Sequence, residues 1–274
     1  MASSGATVTN LGLIAGNGIF PLEVAKAART RGFGIIAVAH QNETQPELAA
    51  LVDEITWIKV GELERMIDAF KRADVRQAAM AGGISRARLA DSFAPDARAL
   101  QMLARIRRFS DDAVLRGLAA EIESEGIEVI DPVPMLPDVL APAGLLAGPA
   151  PTPGQLEDLR VAFRVLDALG AFDIGQTVAV RDGVVAAVEA VEGTDAALRR
   201  GAAVWGRGLV VAKAAKASQD LRFDRPTIGP ATIDLLGEIR ATMIGIQAHR
   251  AMILERPATL ERAHALGVTV FGHE

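Results

Sequence analysis

The feature that most limits the fold is an alternation running through the first half of the chain. Short runs at Leu11 to Ala15, Gly34 to Ala39, Gln77 to Ala81 and Glu128 to Ile130, and an alternating segment at Glu54 to Val60, are separated by longer stretches with apolar residues at helical spacing. Runs this short and this apolar read as strands buried on both faces, which occur in parallel sheets. The intervening stretches, Leu22 to Arg31, Glu62 to Ala73, Ala94 to Arg107 and Asp111 to Glu125, read as covering helices. The second carries Leu63, Met66, Ile67 and Phe70 on one face. Gly32 and Gly126 stop two of the helices, and Ser110 caps the start of another. Repeated βα units of this kind predict a Rossmann-like domain over residues 10–132.

The pattern breaks at Asp131. Seven prolines (132, 134, 137, 142, 149, 151, 153) follow before residue 154. They predict a stiff linker over 133–153, with the domain boundary inside it. Leu140, Leu145 and Leu146 either pack along the surface or line an apolar groove. A second domain is expected over 154–274. It opens with a helix from Gln155 to Leu169. A hairpin follows, because Asp182-Gly183 between alternating segments is a strong turn signal. A short helix from Gly193, a strand at Leu209 to Lys213 and an irregular polar loop from Ala214 to Pro230 come next. A helix from Ala231, strands near Ile244 and Ala251, a helix from Ala258 to Leu266 and a strand from Val268 complete a mixed α/β domain.

Composition excludes several kinds of chemistry. The 274 residues contain no cysteine, so thiolate zinc sites, iron–sulfur clusters and a cysteine nucleophile are absent. The four histidines (His40, His249, His264, His273) show no metal-pair spacing. Any metal would sit on oxygen ligands, which points to Mg²⁺, Mn²⁺ or Ca²⁺. The formal net charge of −5 argues against a nucleic-acid partner. The longest uncharged run, Val139 to Leu156, is interrupted by Pro142, Pro149, Pro151 and Pro153, so no spanning helix is expected. The first ten residues lack the basic and apolar regions of a secretory signal, and a cytoplasmic location is the expectation.

Three constellations carry the functional reading. Gly16-Asn17-Gly18-Ile19 follows the first strand and opens the first helix, with Gly82-Gly83 ending another strand. Such turns cradle phosphate through backbone N–H groups, although a plain tight βα turn has the same pattern. The third glycine of a dinucleotide fingerprint is replaced by Pro21, and the second strand ends in His40 where an acidic residue would hold an NAD ribose. NAD is therefore disfavoured. The second constellation is Glu189, Glu192, Gly193, Thr194 and Asp195, with Thr194 placed to cap the following helix. It reads as a capped helix start or as a strand-end Mg²⁺ and phosphate site. The third is Lys213, Lys216, Ser218, Gln219, Asp220, Arg222, Asp224 and Arg225, a dense mixture of acids and bases. Acids suit a hard cation and bases hold phosphate oxygens, while a solvated loop of ion pairs is the plainer account. Together these sites suggest Mg²⁺-assisted chemistry on a phosphate ester or anhydride in a cleft between domains. His249 and Arg250 read as core or surface residues.

The segments LGLIAGNGIFP (11–21), AGGIS (81–85), VEAVEGTDAALRR (188–200), SQDLRFDRPTIGP (218–230) and AHRAMILERP (248–257) together resemble the LpxI-type UDP-2,3-diacylglucosamine pyrophosphatases. The resemblance implies a Rossmann-like N-terminal domain and a C-terminal catalytic domain peculiar to the family. It implies Mg²⁺-dependent hydrolysis, with Mn²⁺ as the alternative ion, of UDP-2,3-diacylglucosamine to UMP and 2,3-diacylglucosamine 1-phosphate (lipid X). Water would attack the β phosphorus. This is a step of lipid A synthesis, which implies transient contact with the inner face of the membrane. A homodimer is an open expectation. The family's catalytic aspartate falls on Asp224, and Arg225 departs from the apolar residue expected after the RFD motif. The expected catalytic residues are Asp224, Lys213 and Asp220. The expected substrate contacts are Gly16, Asn17, Gly18, Ile19, Gly82, Gly83, Thr194, Asp195, Gln219 and Arg222, and the expected metal ligands are Asp224, Glu192 and Asp195. The rival readings are a non-catalytic nucleotide-binding regulator and a nucleotide-sugar transferase.

Overall fold

The computed structural model describes residues 9–85, 93–107, 110–217 and 219–274. The chain divides into two compact units, Met1–Pro137 and Asp138–Glu274.

The N-terminal unit is built on five strands: β1 (Asn10–Ala15), β2 (Gly34–His40), β3 (Glu54–Ile58), β4 (Gln77–Ala81) and β5 (Glu128–Ile130). All pair in parallel, in the order β3-β2-β1-β4-β5. β2 is buried along its whole length and β1 along nearly all of it, as their continuous apolar runs require. The helices are α1 (Phe20–Thr30), α2 (Leu63–Arg72), α3 (Ala97–Arg105) and α4 (Asp111–Glu123). α2 buries Leu63, Met66, Ile67 and Phe70, the predicted face. Asp96 and Ser110 cap α3 and α4 through their side chains.

Because β1 pairs with β2 on one side and β4 on the other, the strand order reverses between β1 and β4. The turns after these two strands meet at that reversal, the usual ligand edge of an open α/β sheet. Gly16 N–H donates to the Ala81 carbonyl at 2.8 Å and Asn17 N–H to the Gly83 carbonyl at 2.7 Å. A Cβ on Gly16 would stand 2.3 Å from the Gly83 carbonyl oxygen. Gly82, at φ +79°, would strike the Asn17 carbonyl at the same distance. Only glycine lets the two backbones approach this closely.

The C-terminal unit holds a six-stranded mixed sheet. Its strands are β6 (Gly144–Ala147), β7 (Thr177–Arg181), β8 (Val184–Val188), β9 (Val210–Lys213), β11 (Met243–Gln247) and β13 (Thr269–His273), in the order β6-β13-β11-β9-β7-β8. β13, β11 and β9 are parallel, and β6, β7 and β8 run antiparallel to their neighbours. β10 (Thr227–Ile228) and β12 (Met252–Ile253) make a small separate pair. The helices are α5 (Pro153–Gly170), α6 (Thr194–Trp205), α7 (Pro230–Glu238) and α8 (Arg256–Leu266).

Alternation along the strands divides the core into two layers. Val178, Val180, Val210, Ala212 and Met243 pack under Leu159, Phe163 and Leu166 of α5. Ala179, Val211, Ile244 and Val270 face Leu198, Ile233, Leu236 and Ala263 of the other three helices. The proline-rich stretch carries structure that its composition does not advertise. It contains a 3-10 turn at Val133–Met135, and β6 joins the sheet edge beside β13. Thr152, with Gln155, forms a capping box for α5.

Candidate active site

The C-terminal site forms where β9 ends. Strand pairing sets Thr177 of β7 opposite Lys213 of β9. Thr177 lies beside Gln176, and the β8 hairpin returns the chain to Glu189. The Glu189 N–H donates to the Thr177 carbonyl at 2.9 Å, and the Gln176 N–H donates to Glu189 Oε2 at 3.2 Å. The Thr194 hydroxyl, at the start of α6, donates to Glu189 Oε1 at 3.1 Å and receives a 3.4 Å contact from Lys213 Nζ. Thr194 is thus not the predicted cap. Gly193, at φ +83°, occupies the cap position without a side chain, and the Thr194 hydroxyl turns to the acid–base cluster instead.

The loop after β9 brings in the aspartate. Gln176 Nε2 donates to Asp224 Oδ2 at 3.2 Å, and Gln219 Nε2 donates to the same oxygen. Gln219 is itself buried, and its Oε1 accepts from the Lys216 N–H at 3.0 Å. Two amides from distant segments therefore fix the Asp224 carboxylate. Burial pushes Lys213 below the usual lysine range, against the opposing pull of Glu189, Asp195 and Asp224. The result is a desolvated cation within the field of three carboxylates. Such a group stabilises charge that develops on a phosphate.

The expected residues divide accordingly. Lys213, Thr194, Asp195, Gln219 and Asp224 belong to one group, as above. Asp220 and Arg222 form their own pair, with Arg222 Nη2 2.9 Å from Asp220 Oδ2, and the guanidinium lies over the Phe223 ring. Glu192 is bound by Arg200 at 2.7 Å, which holds its carboxyl below the usual range, and it is not among the carboxylates acting on Lys213. Glu189, rather than Glu192, is the carboxylate that meets Thr194 and acts on Lys213. Ser218 lies outside the described residues. Arg225 Nη1 donates to the Arg250 carbonyl at 3.3 Å, and Arg250 Nε is buried without a hydrogen-bond partner among the described residues.

Among the described residues no three acidic or histidine side chains stand together as a ready-made metal cage. Mg²⁺ is ordinarily held by one or two carboxylates and by substrate phosphates. Of the expected ligands, Asp195 and Asp224 both act on Lys213, whereas Glu192 is bound by Arg200.

In the N-terminal unit Gly16, Asn17, Gly18, Ile19, Gly82 and Gly83 do come together at the sheet reversal. Glu43, unexpected from the sequence, joins them. It lies just past β2 and is 6% exposed. Its Oε2 accepts from Asn17 Nδ2 at 3.0 Å and from the Ser85 N–H at 3.2 Å. The only sequence signal is an acid three positions beyond His40, the end of the second strand.

Family models describe the same two halves. The LpxI N-terminal domain matches residues 10–139 and the LpxI C-terminal domain matches residues 142–271. The chain belongs to the LpxI family. A curated relative, the UDP-2,3-diacylglucosamine pyrophosphatase LpxI of Caulobacter vibrioides, is 35% identical over 275 residues, covering 96% of each chain. Among solved structures, the biotin carboxylase subunit of pyruvate carboxylase matches this LpxI-family chain at a TM-score of 0.27 and 14% identity. The biotin carboxylase domain of Hydrogenobacter thermophilus 2-oxoglutarate carboxylase matches at 0.27 and 18%. These matches cover 63% and 64% of this chain and 35% of each of theirs, and likeness at that level carries no argument.

Proposed function

We propose that this protein hydrolyses the pyrophosphate bond of UDP-2,3-diacylglucosamine, giving UMP and 2,3-diacylglucosamine 1-phosphate, in lipid A synthesis. The observation that carries the reading is the Asp224 carboxylate, pinned by Gln176 and Gln219 beside the enclosed Lys213, in a chain of this family. Lys213 neutralises charge on the anhydride oxygens. Asp224, fixed in orientation, positions water and takes its proton as the new P–O bond forms at the β phosphorus. The bridging P–O bond breaks and its electron pair leaves on the UMP phosphate. Asp195 and Asp224 would hold Mg²⁺ together with substrate phosphate oxygens, and the ion would supply further charge neutralisation.

The acyl chains of this substrate reside in a bilayer. No helix among the described residues is long and apolar enough to cross one, so the reading includes transient contact with the inner face of the membrane. The test is UMP release from UDP-2,3-diacylglucosamine in detergent, with Mg²⁺, with Mn²⁺ and with EDTA. Metal-dependent release of UMP with lipid X supports the reading. A folded protein that releases neither overturns it.

A further inference from the structure

Hydrolysis by Lys213 and Asp224 leaves Glu189 without a task. Glu189 follows β8 and is half-buried. Both of its carboxylate oxygens are engaged, and each leads to a different group of the mechanism. Oε1 accepts from the Thr194 hydroxyl at 3.1 Å, and the same hydroxyl oxygen meets Lys213 Nζ at 3.4 Å. Oε2 accepts from the Gln176 N–H at 3.2 Å, and the side chain of that glutamine donates to Asp224 at 3.2 Å.

The supply of protons gives the first link a direction. A threonine hydroxyl has one proton to give and two lone pairs to offer. Thr194 gives its proton to Glu189. Thr177, buried and 3.3 Å away, must then donate to the Thr194 oxygen rather than accept from it. The other lone pair of Thr194 takes Lys213. One ammonium N–H is thereby held, and the others remain for an anionic ligand. Without the Glu189 acceptor the Thr194 proton is released to turn toward the ammonium. An enclosed cation would then face a donor, which is costly where water is excluded.

We infer that Glu189 is a positioning residue for the hydrolysis: through Thr194 it fixes the Lys213 ammonium for the substrate phosphates, and through Gln176 it steadies the segment that orients Asp224. The inference rests on the reading of this chain as a pyrophosphatase. Glu189 acts through Lys213, whose effect is greatest where charge develops on the phosphate, so its loss falls on kcat.

The experiment has a kinetic and a spectroscopic arm. UMP release from UDP-2,3-diacylglucosamine is measured for wild type, Glu189→Gln, Thr194→Val and the double variant, with melting curves verifying that each is folded. Glu189→Gln retains an oxygen for the Gln176 N–H but presents an NH₂ group to Thr194, so it isolates the Thr194 link. Each single variant is expected to lose about tenfold in kcat with KM within about twofold, the loss expected for a hydrogen bond to a charged group. The double variant is expected to lose no more than the poorer single one, because both changes break the same link. Losses that multiply overturn the inference, as does wild-type kcat in a folded Glu189→Gln or a change confined to KM or to the melting curve. In the spectroscopic arm the full chain carries lysine labelled with carbon-13 at the ε position, and the Lys213 signal is assigned by its loss in Lys213→Met. That signal is expected to move in both single variants. An unmoved signal in a folded Thr194→Val overturns the inference even if Glu189→Gln does not fold. The two arms also separate the inference from the pyrophosphatase reading. A signal that moves in a wild-type background without turnover removes that reading and keeps Glu189 as the group that holds Lys213. Wild-type turnover with an unmoved signal does the reverse.

Discussion

At the scale of the residue, Asp224 and His40 show how surroundings set the work of a side chain. Asp224 accepts from the side-chain amides of Gln176 and Gln219, which set the direction of its carboxylate. Asp224→Ala should lower UMP release by about 10²–10⁴-fold with an unchanged melting curve. Unimpaired release would remove the residue from the mechanism. His40 is buried under the sheet reversal, with Nδ1 2.9 Å from the Ala15 carbonyl. Burial pushes its pKa below the usual histidine value of 6.5, against the Ala15 contact and the nearby Glu43 charge. The unfolded chain therefore binds the proton more readily than the folded one. The stability from neutral His40 is complete above about pH 6.5 and falls away as the solution is acidified toward the folded-state value. Denaturation midpoints at pH 7.5 and pH 5.5 should differ more for wild type than for His40→Asn. Equal acid sensitivity would remove His40 as the cause.

At the scale of the element, the β1 and β4 turns make opposite demands on two glycines with nearly the same φ. Gly18 faces open space, so Gly18→Ala should cost about 1–2 kcal/mol, the strain of a left-handed alanine. Gly82→Ala adds a clash with the Asn17 backbone at 2.3 Å, and the turn must open to admit the methyl group. Its cost should exceed that of Gly18→Ala by about 1–3 kcal/mol, the range for overpacking. Urea unfolding of the two variants checks the order, and equal losses would mean that the two turns do not hold each other as closely as described. The helices were predictable for a related local reason. Amphipathic spacing and capping residues lie within a few positions of each other, so α2 and α4 begin and end within two residues of their sequence-based limits. β6 escaped notice because a sheet edge reached between prolines 142 and 149 depends on a partner more than a hundred residues away.

At the scale of the whole molecule, each unit has its own sheet and its own buried layers, and each is of ordinary single-domain size. Fragments ending at Pro137 and beginning at Asp138 should each melt cooperatively by circular dichroism. A fragment without a transition would show that its core is incomplete alone. The N-terminal fold was readable because an all-parallel sheet writes itself as continuous apolar runs. The mixed C-terminal sheet could be read strand by strand but not in its order, since β9, β11 and β13 are joined through long excursions.

The sequence by itself determined the two-part organisation, the glycine turn after β1 and the candidacy of Asp224 and Lys213, because periodicity, glycine conformations and motifs are local properties. Tertiary structure alone decided which acids meet which partners. Glu189 joins Lys213 and Thr194, while Glu192, only three residues on, is taken by Arg200. Glu43 meets Asn17 across 26 positions, and Gln176 meets Asp224 across 48. The physical reason is strand register. Pairing Thr177 with Lys213 brings a hairpin, a helix start and a loop to one strand end, and no spacing within any one of those segments encodes that meeting.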